Sequence, residues 1–232
     1  MSARTFVLLS VFLVFCCVKS SNGEISSNIL HSSNHLHKLS DRYKYSYEIP
    51  NNSADKVNIQ LYYECLCGDC RNFDTNQFKN VVEVLNEFLT IQTYPYGNAE
   101  TIEHNGKYSF KCQHGPAECY GNKLHACALD IIRNQTQALL FNSCMMDWRQ
   151  TNRGSDDVAV AKCGSTMNID TDPIKTCAKG EKGTQLLKHY GDESKRANFR
   201  YVPYILVNGK ESDGSNFMKD VCAAYANPPP PC

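Results

Sequence analysis

Cys67 and Cys70 frame the run Cys67-Gly68-Asp69-Cys70, a single CxxC in the chain. Thiol–disulfide exchange needs a thiolate that attacks sulfur and a second thiol near enough to release the resulting mixed disulfide. A CxxC that opens a helix supplies both. Its spacing lets the two sulfurs bond across one turn, and the unpaired N–H groups of the first turn favour negative charge on the first sulfur. On this reading Cys67 is the exposed nucleophile and Cys70 the more buried resolving thiol. Two other uses compete. A structural zinc site takes four ligands from paired knuckles, whereas Cys112 and Cys119 stand seven apart and Cys119 and Cys127 eight. A purely structural disulfide stays open from the pair alone. Asp69 lies inside the motif, where its negative charge opposes a thiolate on Cys67. That makes the pair more reducing and slower to attack in acid.

The surrounding pattern predicts the elements that hold this pair. Val57, Ile59, Leu61 and Tyr63 alternate with Asn58, Gln60, Tyr62 and Glu64, the period of a strand. A helical pattern follows the CxxC through Phe73, Phe78, Val81, Val82, Leu85, Phe88 and Leu89. Residues 90–94 read as a second strand ended by Pro95, and Asn105-Gly106 as a turn before a short strand over 107–111. Residues 118–149 read as helical, and 156–163 as a further helix. Asp172-Pro173 reads as an N-cap with proline in the first turn of a helix through Cys177, and residues 184–190 as one more. Residues 201–207 are β-rich and run into the hairpin signal Asn208-Gly209, a helix closes the pattern over 217–225, and the proline-rich tail 227–232 cannot be helical. The expected fold is therefore α/β: a thioredoxin-like domain over residues 56–226 with a helical, disulfide-rich insertion at about 112–195. That step is an analogy of fold. In such a domain Pro203 takes a cis bond after Val202, opposite the CxxC, where Val202 and Pro203 contact the substrate; an edge-strand proline is the plainer alternative.

Composition narrows the setting. The chain has 232 residues, 24 basic against 24 acidic, and 13 cysteines. Balanced charge gives no support for nucleic-acid binding or for an anionic membrane surface. So many cysteines point to an oxidising compartment. Arg4, the apolar run 6–18 and the small residues Ser20, Ser21 and Gly23 read as a signal peptide over residues 1–22, too short to span a bilayer. No membrane span is expected after its removal. Residues 23–55 read as a flexible polar leader or propeptide. His31, His35 and His37 in it have no cysteine or carboxylate set at ligand spacing, so no metal is expected, and no cofactor either. Eleven cysteines remain after cleavage, an odd number. Asn51-Asn52-Ser53 and Asn134-Gln135-Thr136 are N-glycan acceptors at Asn51 and Asn134.

One further run carries a family resemblance. Cys112-Gln113-His114-Gly115, two residues, Glu118-Cys119, two residues, Asn122, four residues, Cys127 resembles the signature of the gamma-interferon-inducible lysosomal thiol reductase (GILT) family. Leu61-Tyr62-Tyr63-Glu64, Pro95-Tyr96-Gly97-Asn98-Ala99, Tyr201-Val202-Pro203 and Val207-Asn208-Gly209-Lys210 agree with it. The resemblance implies a reductase that opens protein disulfides in acidic endosomes or lysosomes, with Cys67 and Cys70 as its active pair, a small thiol as reductant, and secretion as a second destination. It also implies that Cys112, Cys119 and Cys127 are structural disulfide partners, so that the signature is a scaffold; His114 as a base is the sharper and less favoured reading. Cys144, Cys163, Cys177, Cys222 and Cys232 complete eight cysteines able to form four bridges. Cys65, which departs from the family pattern, is then the odd thiol, buried and inert by strand alternation or else part of a Cys65-Leu66-Cys67 redox unit.

Two other functions fit the same residues. A secretory-pathway oxidase or isomerase would use the same pair at another potential, which a sequence does not fix. A secreted disulfide-rich binding protein would keep Cys67–Cys70 only as a staple. Substrate identity, bridge connectivity and oligomeric state are not readable from these residues.

Overall fold

A computed structural model describes residues 56–151 and 154–232. The expected signal peptide, the polar leader with its three histidines, and Asn51 lie outside the described residues. Strand β1 (Val57–Tyr63) sits at the centre of a four-stranded mixed sheet of order β2-β1-β5-β6. It runs parallel to β2 (Leu89–Pro95), in register from Val57 opposite Leu89 to Tyr63 opposite Pro95, and antiparallel to β5 (Tyr204–Val207). Strand β6 (Lys210–Ser212) closes the far edge. A separate hairpin pairs β3 (Glu100–His104) with β4 (Lys107–Lys111). Both hairpins turn on Asn-Gly, with φ of 51° and 73° at Asn105-Gly106 and of 49° and 75° at Asn208-Gly209. Positive φ at both central residues is the turn whose twist matches paired strands.

The helical stretch after the CxxC is not one regular helix. Helix α1 (Gly68–Phe73) widens into a π-helical turn over Asp74–Phe78 and returns to α geometry in α2 (Lys79–Leu85). Phe73 and Phe78 are five apart, a spacing that a straight α-helix spreads over different faces. The π turn brings both into one cluster with Phe217 of helix α8 (Phe217–Ala223), at ring distances of 5.1–6.3 Å. This cluster, with Val81, Val82 and Leu85, packs on Ile59, Leu61 and Ile205 of the sheet.

The segment read as helical over 118–149 is two helices, α3 (Pro116–Ile131) and α4 (Gln135–Met146). Asn134 breaks it, capping α4 by accepting the Gln137 N–H. Helices α5 (Asp157–Met167), α6 (Asp172–Lys179) and α7 (Glu181–Ala197) complete the helical block. Thr171, not Asp172, is the N-cap residue of α6, so that helix begins one residue earlier than the Asp-Pro signal suggests and Asp172 sits in its first turn. The block has its own core of Leu124, Phe141, Met145, Val160 and Ile174. Three bridges staple it: Cys112–Cys119, Cys127–Cys177 and Cys144–Cys163. A fourth, Cys222–Cys232, ties the proline-rich tail to α8. Cys65, Cys67 and Cys70 are free. Among the described residues no helix is long and apolar enough to cross a membrane.

The π turn carries a buried charge problem. Burial pushes the Asp74 carboxyl up to about 7, the Ser143 hydroxyl and Lys79 pull it down, and Asp147 adds to the rise. Its Oδ1 has no hydrogen-bond partner. The folded value lies above the ordinary carboxylate value, so the folded state holds this proton more tightly, and stability falls as pH rises from about 4 to about 7. Asp74→Asn, which cannot ionise, is therefore expected to raise stability at pH 8 by a few kcal/mol, at most about 4. At pH 4 it should change little. Denaturant unfolding at the two pH values checks the difference; an equal effect at both would contradict this account of Asp74.

Candidate active site

Strand β1 delivers the chain to the redox motif. Cys67 is extended (φ −62°, ψ 127°) and serves as the N-cap residue of α1, its Sγ accepting the Cys70 N–H at 3.3 Å. On the other side Cys67 Sγ lies 3.9 Å from the carbonyl of Val202. The Val202–Pro203 peptide is cis. Residues 201–203 are not strand: Pro203 has no N–H to give a ladder, and β5 starts at Tyr204. Cys67 is 9 % exposed and Cys70 1 %.

The two thiols are pulled apart electrostatically. Cys67 is lowered to about 6, first by the hydrogen bond from the Cys70 thiol, against burial, then by the N–H groups of Cys70 and Asp69, while the Asp69 charge acts upward. Cys70 goes far above the ordinary thiol range, through burial first, then through its hydrogen bond to Cys67 and the charge there. A pKa of about 6 leaves about nine-tenths of Cys67 as thiolate at pH 7 and about 3 % at pH 4.5. An ordinary thiol has about 0.01 % at pH 4.5. The arrangement can therefore present a nucleophilic sulfur in mild acid, backed by a protonated partner that bonds to it.

Cys65 is a separate environment. Its N–H donates to Asn122 Oδ1 at 3.0 Å, its thiol to the Glu118 carbonyl at 3.6 Å, and its sulfur fills the space left by Gly121 on α3. Burial pushes this thiol well up. Cys65 faces α3 while Cys67 faces Cys70 and Val202, so the geometry does not assemble a Cys65-Leu66-Cys67 redox unit. Beside the motif, a groove of about 470 Å³ runs between Gly68, Asn72, Thr75, Trp148 and Arg149. Trp148 is 58 % exposed, with the Arg71 guanidinium 4.3 Å from its ring centre. The sequence reading singled out neither residue.

The signature segment wraps the end of β1. Gly115, at φ +81°, turns the chain into α3. Gln113 accepts from Asn98 Nδ2 at 3.0 Å. His114 Nδ1 lies 2.6 Å from Glu118 Oε2 and 3.4 Å from Glu64 Oε2. Glu64, His114 and Glu118 bring three potential ligand atoms within 4.8 Å of one another. The 2.6 Å contact is a short hydrogen bond between His114 and Glu118.

The model of the gamma interferon inducible lysosomal thiol reductase (GILT) family matches residues 58–167. The chain is 30% identical over 189 residues to the gamma-interferon-inducible lysosomal thiol reductase of Carassius auratus, covering 77% of this chain and 72% of that one. It is 34% identical over 180 residues to GILT-like protein 2 of Drosophila melanogaster, covering 74% and 82%. The chain belongs to the GILT family of thiol reductases. Solved structures agree on the fold: a putative protein disulfide isomerase from Nitrosomonas europaea (TM-score 0.52, 10% identity, 73% of this chain and 95% of that one) and MdbA, a thiol-disulfide oxidoreductase from Actinomyces oris (TM-score 0.51, 13% identity, 76% and 85%). At that identity the likeness establishes a thioredoxin-like architecture and no more.

In this GILT-family chain the signature is more than a staple. Cys112–Cys119 and Cys127–Cys177 are bridges, but Glu118 and Asn122 are fully buried and reach the residues immediately before the CxxC. Alternation puts Glu64 on the face of Asn58 and Gln60, yet it is buried, because α3 and the turn after β2 close over the end of the sheet. Glu64 and Glu118 both stand in segments that carried the family resemblance; the signal for their meeting was there, but only tertiary packing joins residues 54 positions apart.

Proposed function

We propose that this chain reduces protein disulfides by a CxxC mixed-disulfide cycle in an acidic endosomal or lysosomal compartment, reached through the secretory pathway. The observation that carries it is the contrast within the pair: a low-pKa Cys67, the less buried of the two, accepting the Cys70 N–H, beside a Cys70 held protonated. Cys67 thiolate attacks one sulfur of the substrate disulfide; the mixed disulfide forms and the other substrate sulfur leaves. Cys70 loses its proton, attacks Cys67, and the second substrate sulfur leaves, two electrons having passed to the substrate. A small thiol then reduces Cys67–Cys70. Val202 and Pro203 hold the substrate chain across Cys67. The lysosomal names of the relatives support the compartment, as do the signal-peptide pattern of residues 1–22 and the exposed acceptor Asn134.

The reading is tested by trapping. Cys70→Ser retains the nucleophile and loses the resolving step, so with a denatured disulfide-bonded protein at pH 4.5 it should accumulate a covalent adduct that dithiothreitol releases. Wild type should show almost none. Absence of an adduct from folded Cys70→Ser would sink the proposed cycle.

A further inference from the structure

Three segments meet on one buried carboxyl beside the redox pair. Glu64 is fully buried three residues before Cys67. Its Oε1 accepts the Asn98 N–H at 2.6 Å, while its Oε2 accepts no hydrogen bond and points at His114 Nδ1, 3.4 Å away. His114 is held by Glu118 at both ends, its N–H on Oε1 at 3.0 Å and its Nδ1 near Oε2 at 2.6 Å. Gly97 makes the room: at φ +62°, a Cβ there would fall 2.2 Å from Glu64 Cγ. A buried carboxyl with a free oxygen is costly to keep, so a fold that clears a notch for one has a use for it.

The groups that face this carboxyl come from every side. They are Cys67 and Cys70 from α1, Glu118 from α3, His114 from the turn before α3, the Asn98 N–H from the turn after β2, and Cys65 from its own segment. Asp69 faces Cys67, and Arg71 faces Cys65. His114, with 39 % of its side chain exposed, connects the cluster to solvent. Burial pushes Glu64 up to about 7; the Asn98 N–H pulls it down, the charges of Glu118 and Cys67 push it up, and His114 pulls it down. Burial works against a proton on His114, but Glu118, by charge and by hydrogen bond, and then Glu64 and Cys67 outweigh it and raise that imidazole.

Proton balance gives the cluster a task. Converting a disulfide to two thiols takes two electrons and two protons. Above about pH 6, where Cys67 is mostly thiolate, the reduced pair holds both electrons but a single proton, on Cys70. Burial holds the Glu64 proton first and the Cys67 charge adds to it, so the carboxyl binds its proton more tightly when that charge appears and less tightly when it vanishes into the Cys67–Cys70 bond.

We propose that Glu64, His114 and Glu118 form the store of the second proton, loaded from solvent through His114 when Cys67–Cys70 is reduced and emptied when the pair passes its electrons to the substrate. This rests on Cys67 and Cys70 being the working pair. In the first step the departing substrate thiolate takes the proton from the cluster. In the second, the Cys70 sulfur attacks Cys67, and the other substrate thiolate takes the Cys70 proton. One disulfide is made and one broken; the pair is oxidised and the substrate reduced by two electrons. The small thiol, oxidised to its own disulfide, returns two electrons and releases two protons; one proton is kept on Cys70, and the cluster takes its proton from solvent through His114.

The test is the pH dependence of the equilibrium with a dithiothreitol redox buffer between pH 5 and 8, for wild type and Glu64→Gln. Each proton taken up with the two electrons changes the half-reaction constant tenfold per pH unit, about 30 mV. Wild type is expected to take up two protons up to about pH 7 and one above. Glu64→Gln should fall to one already near pH 6, where Cys67 ionises, so its break comes at lower pH than that of wild type. A coincident break in both proteins overturns the proposal. A second readout needs no variant: the reduced-minus-oxidised infrared spectrum of wild type at pH 6.5 should gain a protonated-carboxyl C=O band. Its absence overturns the proposal as well. A pair that does not exchange with dithiothreitol at all would instead overturn the parent reading, and this one with it.

Discussion

Cys67→Ser is expected to lower reduction of a denatured disulfide-bonded protein by more than about a thousandfold, to the background of the free thiol. A serine hydroxyl neither ionises in this range nor forms a disulfide, so no part of the cycle survives. The loss should hold at both pH 4.5 and pH 7. Wild-type alkylation by iodoacetamide should follow the thiolate, rising with a midpoint near pH 6 set by the Cys70 hydrogen bond and the N–H groups around Cys67. Reductase turnover at pH 4.5 rests on the few per cent of thiolate still present there, about three hundredfold more than an ordinary thiol offers. Activity that persists in Cys67→Ser, or an alkylation midpoint near 8.5, would remove Cys67 from the role of nucleophile.

The largest expected stability effect is elsewhere. Cys127–Cys177 joins α3 to α6 across 50 residues and is buried in the core of the helical block. Closing a loop of that length removes unfolded-state entropy worth about 4 kcal/mol. Replacing both cysteines with alanine should lower the melting temperature by about 10 °C. Cys112–Cys119 spans only 7 residues, and its removal should cost about 2 kcal/mol by the same relation. Thermal unfolding of the two double variants gives the order directly. A smaller loss for the Cys127–Cys177 variant would show that the bridges act through native-state packing rather than through loop length.

The parts of this molecule that were legible in sequence are those with a local cause. Strict alternation marked β1 from Val57, running one residue past its end at Tyr63, and two Asn-Gly pairs marked both hairpins, because period and turn chemistry act over a few residues. The π turn was hidden: Phe73 and Phe78 fit a helix loosely, and only Phe217, far along the chain, makes the five-residue spacing favourable. The break between α3 and α4 was written in Asn134, a residue noticed for its glycan motif rather than for the N-cap it provides. The pair Cys67–Cys70 stood out because both members lie in one motif. The carboxyl cluster did not, because Glu64, Gly97, His114 and Glu118 are brought together by packing, and alternation assigned Glu64 to the wrong environment. The family resemblance marked the segments that hold these residues without saying that they touch.

A thiol reductase opens disulfides, and among its described residues this one also carries four of its own. In three of them at least one partner is buried: Cys119, Cys127 and Cys163. The fourth, Cys222–Cys232, ends on an exposed residue. Access orders the attack of a thiolate on a disulfide, so this bond is the first the surrounding thiols, or a neighbouring molecule's Cys67, will reach. Opening it releases the proline-rich end from α8. Access therefore places Cys222–Cys232 ahead of the bridges of the helical block in the order of attack.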